Sequence, residues 1–243
     1  MAPFADASIL LTGADGGLGR LFVEAFLARG AREVHACGMR AEGVAALRER
    51  HGPRVIPQVL DITDAVAVQN LIASLNRLTM VVNCAGVELK RPLTDPAGPR
   101  NAQVEMAVNF LGTVHTCHAA LPRLQQAGTG QIVNILSIAA LATIVPLGAY
   151  GASKAAAHQA TVALRAELAG TAVTVHGVYP GWIATGMGQD VNVPKADPQA
   201  VITAICDGLA AGDTWIFPDP MSRALAQEHP SWRTPVVLTG LHA

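Results

Sequence analysis

The amino-acid sequence predicts an α/β fold, a doubly wound parallel sheet of about seven strands with helices on both faces. Short segments of strand length alternate with longer Ala- and Leu-rich segments of helix length along the chain. The short segments are apolar at nearly every position, which is typical of strands whose two faces are both covered by helices. Parallel strands joined by helical crossovers account for both observations.

The predicted strands are apolar runs bounded by Gly, Pro, Asp or Asn. They cover residues 8–12, 33–37, 54–60, 80–83, 131–136, 174–179 and 214–217. Helices are predicted over residues 18–29, 65–75, 101–126, 150–169 and 198–211. Because no repeat or linker interrupts this order, we expect one domain over residues 1–243, with a loop over residues 185–198 that covers a site.

Length and composition restrict the classes of function. A chain of 243 residues, 51% of them hydrophobic, can bury one sizeable core. Only 14% of the residues are charged and the net charge is -1, which argues against nucleic acid or a membrane surface as a partner. The widely spread cysteines and the absence of a signal-like start predict a cytoplasmic protein with free thiols. No metal site is expected, since His115 and His118 lie three apart with no third ligand in view.

A glycine-rich turn follows the first predicted strand. The sequence TGADGGLGR places Gly13, Gly17 and Gly19 between that strand and a predicted helix. Glycines let the backbone approach a pyrophosphate closely, and the helix start offers free N–H groups and the positive end of its dipole. A dinucleotide site is therefore predicted, the alternative being a merely tight strand-to-helix connection.

This turn and the downstream sequence YGASK together resemble the classical short-chain dehydrogenase/reductase family. The likeness runs from Thr12 through Met187 and includes LDIT, NCAG, VNFLGT and PGWIAT in the family's order, with Cys84 where the family has a second Asn. The family implies a Rossmann-type fold, a nicotinamide cofactor and a homodimer or homotetramer. The cofactor residues that it implies are Thr12, Gly13, Asp15, Gly17, Leu18, Gly19, Asp61, Ile62, Asn83, Ala85, Gly86, Tyr150, Lys154, Pro180, Gly181, Ile183 and Thr185.

The end of the second predicted strand decides between NADP(H) and NAD(H). An acidic side chain there accepts hydrogen bonds from the ribose hydroxyls of NAD, whereas an arginine pairs with the 2′-phosphate of NADP. Gly38 occupies roughly the acidic position and Arg40 follows it. We therefore expect NADP(H) as the preferred cofactor and NAD(H) as the alternative. The alternative is that Arg40 is an ordinary solvated arginine on a loop.

The sequence YGASK predicts the catalytic centre. Tyr150 and Lys154 lie four residues apart and so share one face of a helix. A nearby ammonium stabilises a phenolate and lowers the phenol pKa from about 10. In the family, the residues at Ser137 and Asn109 complete the set: the first binds the substrate oxygen, and the second supports a proton relay. Each residue alone has an ordinary structural reading, and their joint order carries the prediction.

The proposed substrate is a carbonyl compound or secondary alcohol. The apolar residues after Ser137 and a loop with Trp182 and Met187 favour a hydrophobic ketone, if they line the pocket. The sequence is compatible with three functions: a ketone reductase or alcohol dehydrogenase, a noncatalytic dinucleotide-binding sensor or scaffold, and a sugar-nucleotide epimerase or dehydratase. The last requires a larger C-terminal domain than the chain has room for. The tail WIFPDPMSRALAQEHPSW departs from the family's usual Asp-Gly-Gly ending.

Overall fold

The computed structural model describes residues 3–188 and 192–228. Seven strands form one parallel sheet in the order β3-β2-β1-β4-β5-β6-β7, which confirms the predicted fold class. The strands are β1 Ser8–Thr12, β2 Glu33–Gly38, β3 Val55–Val59, β4 Met80–Asn83, β5 Gly130–Ile135, β6 Val173–Val178 and β7 Trp215–Ile216. The order reverses beside β1, and such a switch point creates a crevice at the carboxyl ends of the strands.

The helices cover both faces of the sheet. They are α1 Gly17–Ala28, α2 Ala41–His51, α3 Ala65–Ser74, α4 Gly98–Glu105, α5 Gly112–Gln126, α6 Gly148–Glu167, α7 Pro198–Ala211 and α8 Pro220–Glu228. One core cluster packs α1 and α7 against the sheet through side chains such as Phe22, Phe26 and Ile205. The other packs α3 and α5 against the opposite face through Val68, Ile72 and Leu124. No helix among the described residues is long and apolar enough to cross a membrane.

The helix predicted over residues 101–126 is not continuous. A π-helical segment, Met106–Leu111, separates α4 from α5, and it contains the buried Asn109. The i→i+5 hydrogen bonds of such a segment leave no signature in hydrophobic periodicity, so the sequence pattern does not reveal it. π-helical segments occur frequently at functional sites.

Two helices were absent from the prediction. Helix α2 buries only Val44 and Leu47, and charged residues surround that narrow stripe. Its Glu42 lies in the first turn and Arg48 in the last, where each complements the helix dipole. Helix α8 follows Asp219 directly after β7, in the tail that departs from the family pattern.

A chain of buried polar side chains joins the centre of the sheet to α6. Asn83 Nδ2 donates to Asn134 Oδ1 at 2.8 Å, and Asn134 Nδ2 donates to Thr161 Oγ1 at 2.8 Å. Thr161 in turn donates to the carbonyl of Ala157 in α6. Because these groups are buried, the Asn134–Thr161 hydrogen bond fixes α6 against β5, and the Asn83–Asn134 hydrogen bond ties β5 to β4.

Candidate active site

A cleft of about 690 Å³ lies at the carboxyl ends of the strands. It is lined by the turns that follow β1 to β6, so residues distant in sequence meet there. Among the predicted site residues, the cleft walls include Gly13, Asp15, Gly17, Leu18, Gly19, Arg40, Asp61, Ile62, Ala85, Gly86, Ser137, Tyr150, Lys154, Pro180, Gly181, Ile183 and Thr185. Thr12, Asn83 and Asn109 lie behind these walls.

The glycine turn leaves no room for side chains. Gly13 has φ +66°, and a Cβ there would lie 2.7 Å from the Cα of Ala85. A Cβ on Gly19 would overlap the carbonyl oxygen of Gly13. Thr12 Oγ1 accepts hydrogen bonds from the backbone N–H groups of Cys84 and Ala85, both at 3.1 Å, and so ties the turn to the end of β4. This bare backbone at the start of α1 is a cradle that fits the pyrophosphate of a dinucleotide.

Arg40 faces the glycine turn. Its Nε lies 2.8 Å from Asp15 Oδ2, and its NH2 group donates to the Asp15 carbonyl, also at 2.8 Å. A Cβ on Gly38 would lie 2.5 Å from Asp15 Oδ1. The carboxylate of Asp15 therefore occupies the space next to Gly38. An acidic side chain at the end of β2, of the kind that binds the ribose hydroxyls of NAD, would lie in the same space. An anion that approaches Arg40 has to share the guanidinium with Asp15.

The Asp61 carboxylate caps its own turn. Its Oδ1 accepts hydrogen bonds from the N–H and the hydroxyl of Thr63, at 2.9 and 2.8 Å. Ile62 beside it is buried, and its side chain packs against the place where a Cβ on Gly112 would lie. Together they form the wall of the cleft next to β3.

Asn109 holds the backbone that follows β4. Its Oδ1 accepts from Val87 N–H at 2.8 Å, and its Nδ2 donates to Val87 C=O at 2.9 Å and to Ser153 Oγ at 2.9 Å. A Cβ on Gly86 would lie 3.1 Å from Asn109 Oδ1 and 3.4 Å from Lys154 Nζ. The asparagine amide and the lysine amine therefore converge behind Gly86.

Tyr150, Ser137 and Lys154 meet at the inner end of the cleft, and all three are buried. Lys154 Nζ lies 5.8 Å from the centre of the Tyr150 ring and donates to the Ile135 carbonyl at 2.9 Å. Ser137 Oγ accepts from Ala139 N–H at 3.1 Å, which fixes its hydroxyl at the end of β5. The arrangement places a phenol, a hydroxyl and an amine around one point in the cleft.

The protonation states of Tyr150 and Lys154 follow from burial. Burial lowers the pKa of Lys154 to about 8 because the ammonium loses its water. Burial raises the pKa of Tyr150, and the negative charge of Glu88 adds to that shift, whereas the hydroxyl of Ser137 opposes it. The expected lowering of the Tyr150 pKa by Lys154 is therefore not found: burial and the negative charges of Glu88 and Glu105 raise the pKa, and the Ser137 hydroxyl is the group that opposes the rise.

Glu88 lines the cleft but belongs to none of the sequence motifs. It is half-buried, and its Oε1 is buried without a hydrogen-bond partner in residues 3–188 and 192–228. Burial raises its pKa, the charge of Lys90 opposes that shift, and Glu105 adds to it. The available signal was an acidic residue two positions after NCAG, in a segment expected to contact the cofactor.

The loop predicted over residues 185–198 lies beside the cleft. Residues 189–191 fall outside the described part of the chain. Thr185 and Met187 line the cleft, and a parallel bridge between Ile183 and Ala196 joins the two ends of the loop. Trp182 also lines the cleft, as do Ile144 and Leu147 from the apolar segment after Ser137.

Asp219 supports the cleft from the unusual C-terminal segment. Its Oδ2 accepts from Gly181 N–H at 2.8 Å, and its Oδ1 accepts from Ser222 N–H at 2.9 Å. Asp219 is buried at the start of α8. The segment that departs from the family pattern therefore fixes the wall formed by Pro180 and Gly181.

Comparison with known proteins identifies relatives along most of the chain. The family model described as short chain dehydrogenase matches residues 7–196. The NADP-dependent 3-hydroxy acid dehydrogenase of Salmonella typhi is 31% identical over 179 residues, 72% of this chain and 72% of that protein. The 2-keto-3-deoxy-L-fuconate dehydrogenase of Xanthomonas campestris is 32% identical over 203 residues, which cover 82% of this chain and 66% of that protein.

A solved structure shows the same fold. The short chain dehydrogenase from Burkholderia cenocepacia in complex with NADP is 34% identical, with a TM-score of 0.86, and the match covers 96% of this chain and 99% of that one. Together with the family model, which spans well over half of the residues, these findings establish that this chain belongs to the short-chain dehydrogenase/reductase family.

Proposed function

We propose that this protein is an NADP(H)-dependent oxidoreductase that interconverts a ketone and a secondary alcohol. The observation that carries the proposal is the convergence of Tyr150, Ser137 and Lys154 at the inner end of a cleft whose other end is a bare glycine turn. The turn fits a dinucleotide pyrophosphate, and Arg40 at its rim is suited to a 2′-phosphate. The NADP named for the relatives from Salmonella and Burkholderia supports the same cofactor.

In this mechanism the bound nicotinamide supplies or accepts the hydride. Tyr150 donates the proton to the carbonyl oxygen during reduction, and its raised pKa keeps the phenol protonated until that oxygen becomes basic. Ser137 donates a hydrogen bond to the same oxygen, where negative charge develops. Lys154 holds the cofactor ribose, and Asn109 fixes the adjoining backbone. These roles are proposals that follow from family likeness and from the placement of the side chains.

The alternative function is that of a noncatalytic cofactor sensor. It has no use for a phenol and a serine hydroxyl aimed at one point beyond the cofactor cradle.

The apolar wall of Trp182, Ile144 and Leu147 supports a hydrophobic ketone as substrate.

Reductase activity is tested by following the oxidation of NADPH and of NADH with a panel of aliphatic, aryl and keto-ester carbonyls. The chain has two tyrosines, which offers a matched pair of variants. Tyr150→Phe should reduce kcat by about a hundredfold or more, the usual contribution of a positioned proton donor. Tyr179→Phe removes a hydroxyl that contacts His158 outside the cleft, and it should retain most of the activity. Equal losses in both variants would exclude Tyr150 as the proton donor.

We further propose a cytoplasmic homodimer or homotetramer. Helix α6 carries alanines at positions 152, 156, 160 and 163, each exposed or half-buried, which permit close approach of a helix from a second copy. Light scattering should give two or four times the 25.2 kDa chain mass, and Ala163→Arg should lower it. A monomer at all concentrations would contradict this assembly.

A further inference from the structure

Hydrogen bonds fix the backbone on both sides of Glu88. The amide of Asn109 binds both the N–H and the C=O of Val87, at 2.8 and 2.9 Å. Glu105, which is buried, accepts from Leu89 N–H at 2.8 Å. Lys90 follows with φ +53°, a conformation that non-glycine residues adopt only when the surroundings enforce it. The position of Glu88 is therefore specified as closely as that of a functional side chain needs to be.

The carboxyl group of Glu88 lies at the catalytic end of the cleft. Glu88 lines the cleft together with Tyr150, and its charge is near enough to act on the phenol. Its Oε1 is buried and has no hydrogen-bond partner among the described residues. A buried carboxylate oxygen without a donor is costly, and because Glu88 as a whole is only half-buried and lines the cleft, a ligand bound there can supply the donor that its carboxyl group lacks.

The cleft is poorly equipped for an acidic substrate. Among the described residues that line it, the cationic side chains are Arg40 and Lys154. Arg40 is engaged with Asp15 at the glycine turn, and Lys154 donates to the carbonyl of Ile135. The charge of Lys90 acts on Glu88 from outside the cleft lining, so a carboxylate near the reacting carbon would meet Glu88 with no cationic lining residue left to pair with it.

We propose that Glu88 determines substrate specificity by accepting a hydrogen bond from a donor group, a hydroxyl or an ammonium, that the substrate carries close to its reacting carbon. The same carboxylate disfavours substrates with a carboxylate at that place. This inference rests on the proposed oxidoreductase function and names its substrate class: hydrophobic ketones and alcohols with an adjacent donor. This substrate class differs from the acidic substrates in the names of the relatives from Salmonella and Xanthomonas, a 3-hydroxy acid and 2-keto-3-deoxy-L-fuconate.

The test compares kcat/KM for NADP+-dependent oxidation of four matched alcohols: 2-octanol, 1,2-octanediol, 1-amino-2-octanol and 2-hydroxyoctanoate. The native protein should prefer the diol, the amino alcohol or both over 2-octanol by about tenfold or more, and should use the hydroxy acid least. Comparison of the diol with the amino alcohol shows whether Glu88 prefers a hydroxyl or an ammonium as the donor. Glu88→Gln should abolish the preference for the donor-bearing alcohol and raise the activity on the hydroxy acid.

Two further variants separate specificity from folding and from net charge. Glu167→Gln removes one negative charge from an exposed position at the end of α6 and should leave the order of substrates unchanged. Glu88→Asp keeps the charge on a shorter side chain, so it should still reject the hydroxy acid while it loses part of the preference for donors. The proposal is overturned if the native protein shows no such preference, or if Glu88→Gln changes all four substrates by the same factor.

Calorimetric titration of the protein–NADPH complex with 1,2-octanediol and 1-amino-2-octanol reads out Glu88 without turnover, because cofactor and alcohol are then both in the reduced form. Binding of the preferred compound should weaken by about tenfold in Glu88→Gln, and equal affinities would overturn the proposal. If no alcohol is oxidised and no carbonyl is reduced, the oxidoreductase function fails, while the binding comparison still decides the role of Glu88.

Discussion

Lys154 titrates within the working range of a neutral-pH enzyme. Because burial lowers its pKa to about 8, the amine is protonated below that pH and neutral above it. The ammonium form is the one that can donate all its hydrogen bonds to the ribose hydroxyls and to Ile135. Accordingly, kcat/KM for NADPH, which reports groups of the free protein, should fall as the pH rises through about 8.

A pH series with saturating carbonyl substrate measures this fall in kcat/KM for NADPH. Lys154→Arg carries a charge that does not titrate in this range, so its activity, though lower, should show no such fall. A native profile that stays level up to pH 10 would mean that the charge of Lys154 is not required.

We expect Asp15 to weaken the cofactor discrimination that is proposed for Arg40. The two side chains are paired at 2.8 Å, so a 2′-phosphate competes with the Asp15 carboxylate for the guanidinium and is also repelled by it. Asp15→Asn should therefore increase the ratio of NADPH to NADH affinity, by about twofold to fivefold for such an exposed pair. Arg40→Gln should lower that ratio by about tenfold, the cost of a lost hydrogen bond between charged groups.

Calorimetric titration with NADPH and NADH gives both ratios directly. If Arg40→Gln leaves the ratio unchanged, Arg40 is an ordinary surface arginine, the other reading that its sequence position allows.

Among the elements, the π-helical segment and α8 each fix part of the cleft wall. Hydrophobic periodicity reports which face of a helix is buried and not its hydrogen-bond register, so the sequence does not indicate the π-helical segment. Helix α8 lies in the tail, where the prediction named no helix. Asn109 was expected on a regular helix and was assigned to a proton relay. Its position in the π-helical segment directs its amide to Val87, a contact that only the tertiary structure reveals.

Helix α8 makes its contribution through Asp219. Asp219→Ala would leave the buried N–H groups of Gly181 and Ser222 without their acceptor, at a cost of about 1–3 kcal/mol in the free energy of unfolding. Urea denaturation measures this loss, and KM for NADPH should rise because Gly181 forms part of the cleft wall. Asp207→Ala, which removes an exposed carboxylate that pairs with Arg29 at 3.3 Å, should cost less than about 1 kcal/mol. Equal costs would show that Asp219 is not a support.

Across the whole molecule, motifs were the most informative part of the sequence. The strand-helix alternation predicted the parallel sheet, and the ordered motifs predicted the family; both predictions are confirmed. The site residues at the ends of the strands were predicted through their likeness to the family's motifs, and they come together because parallel strands bring their carboxyl ends to one edge. Glu88 and the Asp15–Arg40 pair were missed because their importance depends on burial and on contacts between separate turns, which no local pattern encodes.

Transfer of hydride from the cofactor to a carbonyl carbon, with proton donation by Tyr150, is the central claim. The most direct measurement uses NADPH with deuterium at both C4 positions of the nicotinamide, with a ketone that the protein reduces and mass spectrometry of the product. The account predicts one deuterium on the carbinol carbon with the native protein and with Tyr179→Phe, and at most about one hundredth of that rate with Tyr150→Phe. Tight NADPH binding with no deuterium transferred to any carbonyl would contradict the account and identify a noncatalytic cofactor-binding protein.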